Sequence, residues 1–177
     1  MTVTTERTDI TTFRERPVTL LGSTVKVGDR APDFTVLAGD MSPVTLASSR
    51  GSVRILSAVP SLDTSVCDQQ TRRFNEEVAA SDGVTVLTIS VDLPFTQARW
   101  CAASGLPDVQ TLSDYRDLSF GYAYGVVIKE LRLLARAVFV VDAQDQVVHV
   151  EYVPALEQHP DYAAAIAAAR TAAGAAA

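Results

Sequence analysis

The amino-acid sequence predicts one α/β domain in which helices flank a central sheet. Short apolar segments rich in β-branched residues alternate with longer segments of helical composition, a pattern typical of α/β proteins. The chain has 177 residues, 47% of them hydrophobic, which suffices for one substantial core. It shows neither an internal repeat nor an interdomain linker. We therefore expect residues 1–177 to form a single domain.

The first part of the chain predicts short strands joined by turns. Residues 1 to about 9 are polar, and we expect them to be loosely ordered. Ile10–Phe13 and Val18–Leu21 flank the sequence R-E-R-P and favour an N-terminal β-hairpin. Two more short strands, Phe34–Leu37 and Val44–Leu46, are predicted around the turn G-D-M-S-P.

The middle of the chain predicts two strands, each followed by a helix. Val53–Val59 is apolar and β-branched, which indicates a buried strand, and Pro60 ends it because proline cannot donate to a sheet. The helix that follows carries Cys67 and is expected to extend to about Ala80. The second strand and helix are Val84–Val91 and a segment that begins at Asp92-Leu93-Pro94, carries Cys101 and ends at Gly105.

The last part of the chain predicts a hairpin between helices. The predicted elements are a short helix at Leu118–Tyr124, paired strands at Arg136–Val141 and Gln146–Tyr152, and an alanine-rich helix at Asp161–Ala173. A second strand pair and a terminal helix complete an order that suits a single sheet covered by helices.

Cys67 lies where a turn-rich linker meets its predicted helix. A cysteine in the first helical turn faces unpaired N–H groups and the positive end of the helix dipole. Both favour the thiolate, which is the nucleophilic form of cysteine. Asp63 and Thr64 are both plausible N-cap residues. A lone cysteine is more often a small buried hydrophobic residue, so the surrounding sequence must decide between these interpretations.

The eight residues that end at Cys67, P-S-L-D-T-S-V-C, favour the reactive interpretation. Pro60, Thr64 and Cys67 spell P-x-x-x-T-x-x-C, which resembles the peroxidatic signature of the peroxiredoxins. The fuller sequence is similar to that of the thiol peroxidase subfamily, the atypical two-cysteine peroxiredoxins. The short motif is moderately specific, and a second cysteine in D-L-P-F-T-Q-A-R-W-C makes the resemblance strong.

The resemblance covers nearly the whole chain, from about Arg16 to Arg170. Further matching segments are P-V-T-L-L-G, G-D-R-A-P-D-F, T-L-S-D-Y-R and L-L-A-R-A-V-F-V-V-D. It implies a thioredoxin-like fold, with a central mixed sheet flanked by helices and an N-terminal β-hairpin. It also implies a thiol-specific peroxidase that reduces hydrogen peroxide and organic or lipid hydroperoxides in antioxidant defence.

Four residues are expected to carry peroxide cleavage. Cys67 is the expected nucleophile, and the hydroxyl of Thr64, three residues earlier, can accept from the peroxide and donate to the thiolate. The resemblance implies that Arg136 reaches the sulfur from a neighbouring strand and polarises the peroxide, since a guanidinium is permanently charged. Pro60 would shield the sulfur from water. A simple helix cap for Thr64 and a surface ion pair for Arg136 remain open as alternatives.

Cys101 is the only other cysteine and the only candidate within the chain to resolve a Cys67 sulfenic acid. The resemblance implies an intramolecular Cys67–Cys101 disulfide that thioredoxin then reduces. Because the Cα atoms of a disulfide lie within roughly 7 Å of each other, we expect the Cys67 turn and the Cys101 helix to unwind locally in each cycle. The alternative for Cys101 is a buried side chain beside Trp100.

Three other functions fit parts of the sequence. Cys67 and Arg73 fit the C-x5-R spacing of cysteine phosphatases, but D-Q-Q-T-R lacks the glycine typical of a phosphate loop. A cysteine hydrolase needs a histidine base, and nothing ties His149 or His159 to Cys67. The third alternative is a non-enzymatic scaffold with a structural disulfide, and activity against peroxide would separate it from the enzyme.

The composition limits the classes of partner that this protein can bind. The net charge of −6 and the pI near 4.8 argue against binding to nucleic acids or anionic membranes. The polar N-terminus lacks the apolar segment of a secretion signal, and no apolar run has membrane-spanning length. We expect a cytoplasmic protein without cofactor or metal, and the resemblance implies a homodimer. Trp100 and Ser104, where the family more often has phenylalanine and glutamate, leave the preference between hydrogen peroxide and bulky hydroperoxides open.

Overall fold

A computed structural model describes residues 5–78, 81–106 and 108–175. Its elements are ten strands and four α-helices within these ranges. The strands are β1 (Glu6–Phe13), β2 (Arg16–Leu21), β3 (Thr35–Leu37), β4 (Pro43–Thr45), β5 (Val53–Ala58), β6 (Val84–Ser90), β7 (Gln110–Ser113), β8 (Val127–Ile128), β9 (Ala137–Val141) and β10 (Val147–Tyr152). The helices are α1 (Ser65–Val78), α2 (Pro94–Ser104), α3 (Ser119–Ala123) and α4 (Tyr162–Ala175).

Seven strands form a mixed sheet in the order β10-β9-β5-β6-β7-β3-β4. β5, β6 and β7 run parallel, whereas β9 is antiparallel to β5 and β3 is antiparallel to β7. All six residues of β5 are buried, as expected for the apolar central strand of a sheet covered on both faces. The predicted mixed sheet flanked by helices is confirmed.

The ends of four strands meet at one edge of this sheet. The parallel strands β5 and β6 end there, and the antiparallel β9 begins there because Ala137 pairs with Ala58. β10 ends at the same edge, since Tyr152 pairs with Ala137. Loops that follow or precede these strands therefore converge at the carboxyl ends of the parallel strands, where α/β proteins place their sites.

A second, three-stranded sheet contains the N-terminal hairpin in the order β1-β2-β8. The hairpin is confirmed. The prediction of a loosely ordered segment up to about residue 9 is wrong for residues 6–9, which belong to β1. β1 begins at Glu6, and Arg7 is anchored because its guanidinium donates 3.0 Å to the Thr24 hydroxyl and lies over the Tyr152 ring. Residues 1–4 of that predicted segment lie outside the described ranges.

Two apolar clusters cover the faces of the large sheet. α1 and α4 pack on one face, where the rings of Phe74 and Tyr162 lie 5.1 Å apart among buried side chains of β5 and β9. Aromatic side chains of α3 and its flanks pack on the other face, with Phe120 and Tyr124 stacked at 4.6 Å. Phe74 and Val78, one turn apart on α1, are both buried in the cluster beneath α1 and α4.

The predicted elements differ from the structure mainly at their boundaries. β7 and the two-residue β8 were not predicted, and β8 exists through its pairing with β2. Leu46 begins a 3₁₀ turn instead of ending β4, since the Thr45 N–H donates 3.0 Å to the Ser48 hydroxyl. The predicted end of the Cys67 helix near Ala80 lies outside the described residues. No helix in the described ranges is long and apolar enough to cross a membrane.

Candidate active site

The candidate site lies at the sheet edge where β5 ends and β9 begins. Pro60 is buried directly beyond β5, and the following turn leads into α1. Arg136 immediately precedes β9. Because the ends of these two strands pair through Ala58 and Ala137, residues far apart in sequence become neighbours in space.

Cys67 lies in the first turn of α1 and is fully buried. The Asp68 N–H donates 2.9 Å to the Thr64 carbonyl, which makes Thr64 the N-cap of the helix. The hydroxyl oxygen of Thr64 lies 2.8 Å from the Cys67 sulfur and 3.0 Å from the Ser61 carbonyl oxygen. The hydroxyl has one proton, so it donates to the carbonyl or to the sulfur, and a negatively charged sulfur would attract it.

Arg136 is the cation at this sulfur. Its Nη2 lies 3.4 Å from the Cys67 Sγ, and the side chain is almost fully buried. Nε and Nη2 also donate to the Leu156 carbonyl at 2.9 and 2.7 Å. None of the ion pairs among the described residues includes Arg136. A buried charge without a partner is costly, so a Cys67 thiolate would be its natural counter-ion.

Gln70 and Leu156 complete the site, although the sequence interpretation did not single them out. Gln70 lies one turn after Cys67; its Oε1 accepts from Arg136 Nη1 at 2.7 Å and its Nε2 donates to the Ser57 hydroxyl at 2.8 Å. The signal available in the sequence was a polar residue three positions after the cysteine, on the buried face of the helix. Nothing in the sequence pointed to the Leu156 carbonyl, which is placed by the loop after β10.

A partly buried polar network holds the turn that precedes Cys67. The Asp92 carboxylate, just beyond β6, accepts from the Ser61 hydroxyl and from the Leu62 N–H, both at 2.8 Å. It also accepts from the Ser90 hydroxyl at 2.7 Å, and Gln97 donates 3.0 Å to that hydroxyl. The turn is thus fixed from a neighbouring strand end, which in turn fixes the Ser61 carbonyl beside Thr64.

Cys101 lies on α2, partly buried, and does not bond to Cys67: both cysteines are free. Its sulfur lies 3.4 Å from the Thr111 hydroxyl on β7 and 3.9 Å from the Val109 carbonyl. The sulfur of Cys67 faces Thr64 and Arg136 instead, so the two thiols have different surroundings. Trp100, the neighbour of Cys101, packs in the same small apolar cluster as Cys67.

The arrangement favours neither a cysteine phosphatase nor a cysteine hydrolase. Arg73 of the C-x5-R spacing pairs with Glu77 and stacks over the Tyr162 ring at 4.2 Å. His159 contacts the Tyr162 hydroxyl at 2.7 Å, and burial raises the pKa of that phenol. His149 lies on β10, and burial lowers the pKa of its imidazole. Within the described ranges, no group of three or more metal-binding side chains occurs.

Comparisons with known proteins give consistent similarities. Residues 26–166 match the family model described as Redoxin. The chain is 66% identical over 161 residues to the thiol peroxidase of Halalkalibacterium halodurans, which covers 91% of this chain and 97% of that protein. It is 59% identical over 159 residues to the thiol peroxidase of Bacillus subtilis, covering 90% and 95%. A crystal structure of a peroxiredoxin-like protein from Aquifex aeolicus superposes with a TM-score of 0.86 and 36% identity, covering 95% of this chain and 98% of that one.

Proposed function

Because this chain belongs to the redoxin family and is a peroxiredoxin-type thiol peroxidase, we propose that it reduces hydroperoxides through Cys67, with Cys101 as the resolving thiol. The resemblance to thiol peroxidases and the thioredoxin-like fold predicted from the sequence are confirmed. The observation that carries the proposed mechanism is the Cys67 sulfur between the Thr64 hydroxyl and an otherwise unpaired, buried Arg136.

The first step is attack of the Cys67 thiolate on one peroxide oxygen. A sulfur–oxygen bond forms while the O–O bond breaks, the sulfur is oxidised to sulfenic acid, and the leaving oxygen takes a proton to become water or an alcohol. Arg136 stabilises the negative charge as it moves from the sulfur to the leaving oxygen, and Thr64 orients the peroxide through its hydroxyl. Pro60, buried at the end of β5, limits the access of water.

The second step is resolution by Cys101. Its sulfur attacks the sulfur of the sulfenic acid, the disulfide forms, and the sulfenic oxygen leaves as water with the thiol proton. Since the two sulfurs face different partners, the Cys67 turn and the Cys101 helix unwind locally to bring them together. A thioredoxin-type dithiol protein then reduces the bond by thiol–disulfide exchange and becomes oxidised itself.

The remaining parts of the proposal rest on the family. Hydrogen peroxide and organic or lipid hydroperoxides are the substrate class, antioxidant defence is the role, the cytoplasm is the compartment, and two chains form a homodimer. Leu93 and Phe95 are 48% and 68% exposed at the start of α2. These exposed apolar side chains are consistent with an interface beside the Cys101 helix.

The test compares wild type with Cys67→Ser and Cys101→Ser after one equivalent of hydrogen peroxide. We expect the wild type to form one intramolecular disulfide that maps to Cys67 and Cys101, seen as a compact monomer on a non-reducing gel. Cys67→Ser should be inactive, because a serine hydroxyl stays protonated at neutral pH. Cys101→Ser should react once, stall as sulfenic acid and overoxidise at excess peroxide, with thioredoxin-driven turnover lost.

Two results would contradict the proposal at different points. Turnover by Cys67→Ser would remove Cys67 as the nucleophile. A disulfide-linked dimer as the main oxidised product of the wild type would retain the nucleophile but refute intramolecular resolution by Cys101.

A further inference from the structure

Three side chains connect the two helices that carry the cysteines through hydrogen bonds and a cation–π contact. The Asp68 carboxylate on α1 accepts from the Trp100 indole N–H on α2 at 3.1 Å and from Arg72 Nε at 2.9 Å. The Arg72 guanidinium also donates 3.0 Å to the Ser104 carbonyl at the end of α2 and lies 5.7 Å from the centre of the Trp100 ring. We call Asp68, Arg72 and Trp100 the interhelix clamp.

The clamp joins the residues next to the two cysteines. Asp68 directly follows Cys67, and Trp100 directly precedes Cys101. The hydrogen bonds of the clamp include neither sulfur, although the Trp100 ring packs in the same apolar cluster as Cys67. Its two interhelix bonds run from the Asp68 carboxylate to the Trp100 indole and from Arg72 to the Ser104 carbonyl, so they hold the helical turns that carry the two cysteines.

We propose that the interhelix clamp controls the rate of disulfide formation and acts as a set of positioning residues for resolution. This inference rests on the proposed function of Cys101. If the Cys67 turn unwinds, Asp68 moves away from Trp100; if α2 unwinds around Cys101, Trp100 moves away from Asp68. Either route breaks the indole–carboxylate hydrogen bond before the sulfurs can meet.

The clamp also determines how long Cys67 remains a sulfenic acid. While the clamp is closed, Arg136 and Thr64 keep their contacts with Cys67, and the sulfur stays in the conformation that reacts with peroxide. A second peroxide molecule can then oxidise the sulfenic acid to sulfinic acid, losing its O–O bond and leaving as water or an alcohol. A tighter clamp therefore gives more overoxidation, and a weaker clamp gives less.

The experiment measures the two steps separately by rapid acid quench and mass spectrometry, which distinguishes the thiol, sulfenic acid, disulfide and sulfinic acid forms. Trp100→Phe removes the indole N–H but keeps an aromatic ring in the apolar cluster. Arg72→Ala removes the bond to the Ser104 carbonyl. Glu77→Gln is the matched control, because it weakens the Arg73–Glu77 pair on the same helix without touching α2.

We expect Trp100→Phe and Arg72→Ala to form the disulfide about 10-fold faster than wild type, since each loses one charge-assisted hydrogen bond that the reacting conformation must break. The rate of peroxide attack should stay within about twofold of wild type in both variants, and sulfinic acid should accumulate less at excess peroxide. Glu77→Gln should match the wild type in all three measurements. A merely structural role would slow both steps or lower stability without separating them.

The outcomes separate this inference from the proposed function. If the wild type forms the Cys67–Cys101 disulfide and neither clamp variant changes its rate of formation, the clamp is refuted and the function stands. The clamp is likewise refuted, and the function stands, if both variants form the disulfide more slowly than the wild type. If the wild type forms no such disulfide, resolution by Cys101 and the clamp are refuted together.

Discussion

A carboxylate introduced at Gln70 should slow peroxide attack, because it would compete with Cys67 for Arg136. The Oε1 of Gln70 and the Sγ of Cys67 contact the two terminal nitrogens of the same guanidinium, at 2.7 and 3.4 Å. Gln70→Glu is nearly isosteric, so it changes the charge at this position with little change in volume. The guanidinium would then pair with the new carboxylate, and the thiolate would face a second negative charge.

The size of the effect follows from Coulomb's law. With the new carboxylate about 5 Å from the sulfur and an effective dielectric constant of about 20, the repulsion amounts to about 3 kcal/mol. Such a repulsion disfavours the attacking thiolate by about 100-fold, since 1.4 kcal/mol corresponds to a factor of about 10. The full repulsion applies only if the new carboxyl is ionised. The difference in attack rate between Gln70→Glu and the wild type should therefore grow as the pH rises through the range in which this carboxyl titrates.

The assay is the single-turnover rate of sulfenic acid formation in a Cys101→Ser background, together with the rate of alkylation by iodoacetamide. Gln69→Glu is the matched control, because Gln69 is the exposed neighbour on the same helix and receives the same charge. We expect both rates to fall by about 100-fold in Gln70→Glu and to change by less than about twofold in Gln69→Glu. Equal rates in the two variants would show that Arg136 does not stabilise the reacting sulfur.

Two further predictions concern single polar groups. Thr64→Val should slow peroxide attack by about 100-fold, because it removes the hydroxyl 2.8 Å from the sulfur while conserving volume; stopped-flow kinetics measure this, and an unchanged rate would exclude Thr64 from the reaction. Burial raises the pKa of Asp114 from 3.8 to about 6. Between these values the folded state holds a proton that the unfolded state has released, so the free energy of unfolding should fall by about 2 kcal/mol as pH rises from about 4 to 7. Urea denaturation of wild type and Asp114→Asn at both pH values isolates this contribution, which is absent from the variant; an identical pH dependence in the two proteins would contradict it.

The sequence alone predicted the elements whose pattern is local. The strand predicted at Val53–Val59 is observed at Val53–Ala58, because β-branched content and a terminal proline act on neighbouring residues, and the helix that carries Cys67 follows it. The motif also predicted that Thr64 would lie near Cys67, since three residues bring two side chains to one helical turn. The family followed from the same motif together with the segment around Cys101.

Contacts between segments far apart in the chain could not be predicted from local sequence patterns. Arg136 was expected at Cys67 only because of a family resemblance, and no local signal places it there. The antiparallel pairing of β9 with β5 brings it to the sulfur, and the loop after β10 supplies the Leu156 carbonyl that orients it. Short strands such as β8 form for the same reason, because their stability comes from pairing rather than from the propensity of two residues.

The sequence by itself thus determined the family, the nucleophilic position and the elements that lead into it, because these depend on spacing along one strand and one helix. Only the tertiary structure decided which groups surround the sulfur from other strands, and how Asp68 and Arg72 of one helix hold Trp100 of the other. The physical reason is that a buried guanidinium or carboxylate must be satisfied by whichever groups the packed sheet brings within about 3 Å, wherever they lie in the sequence.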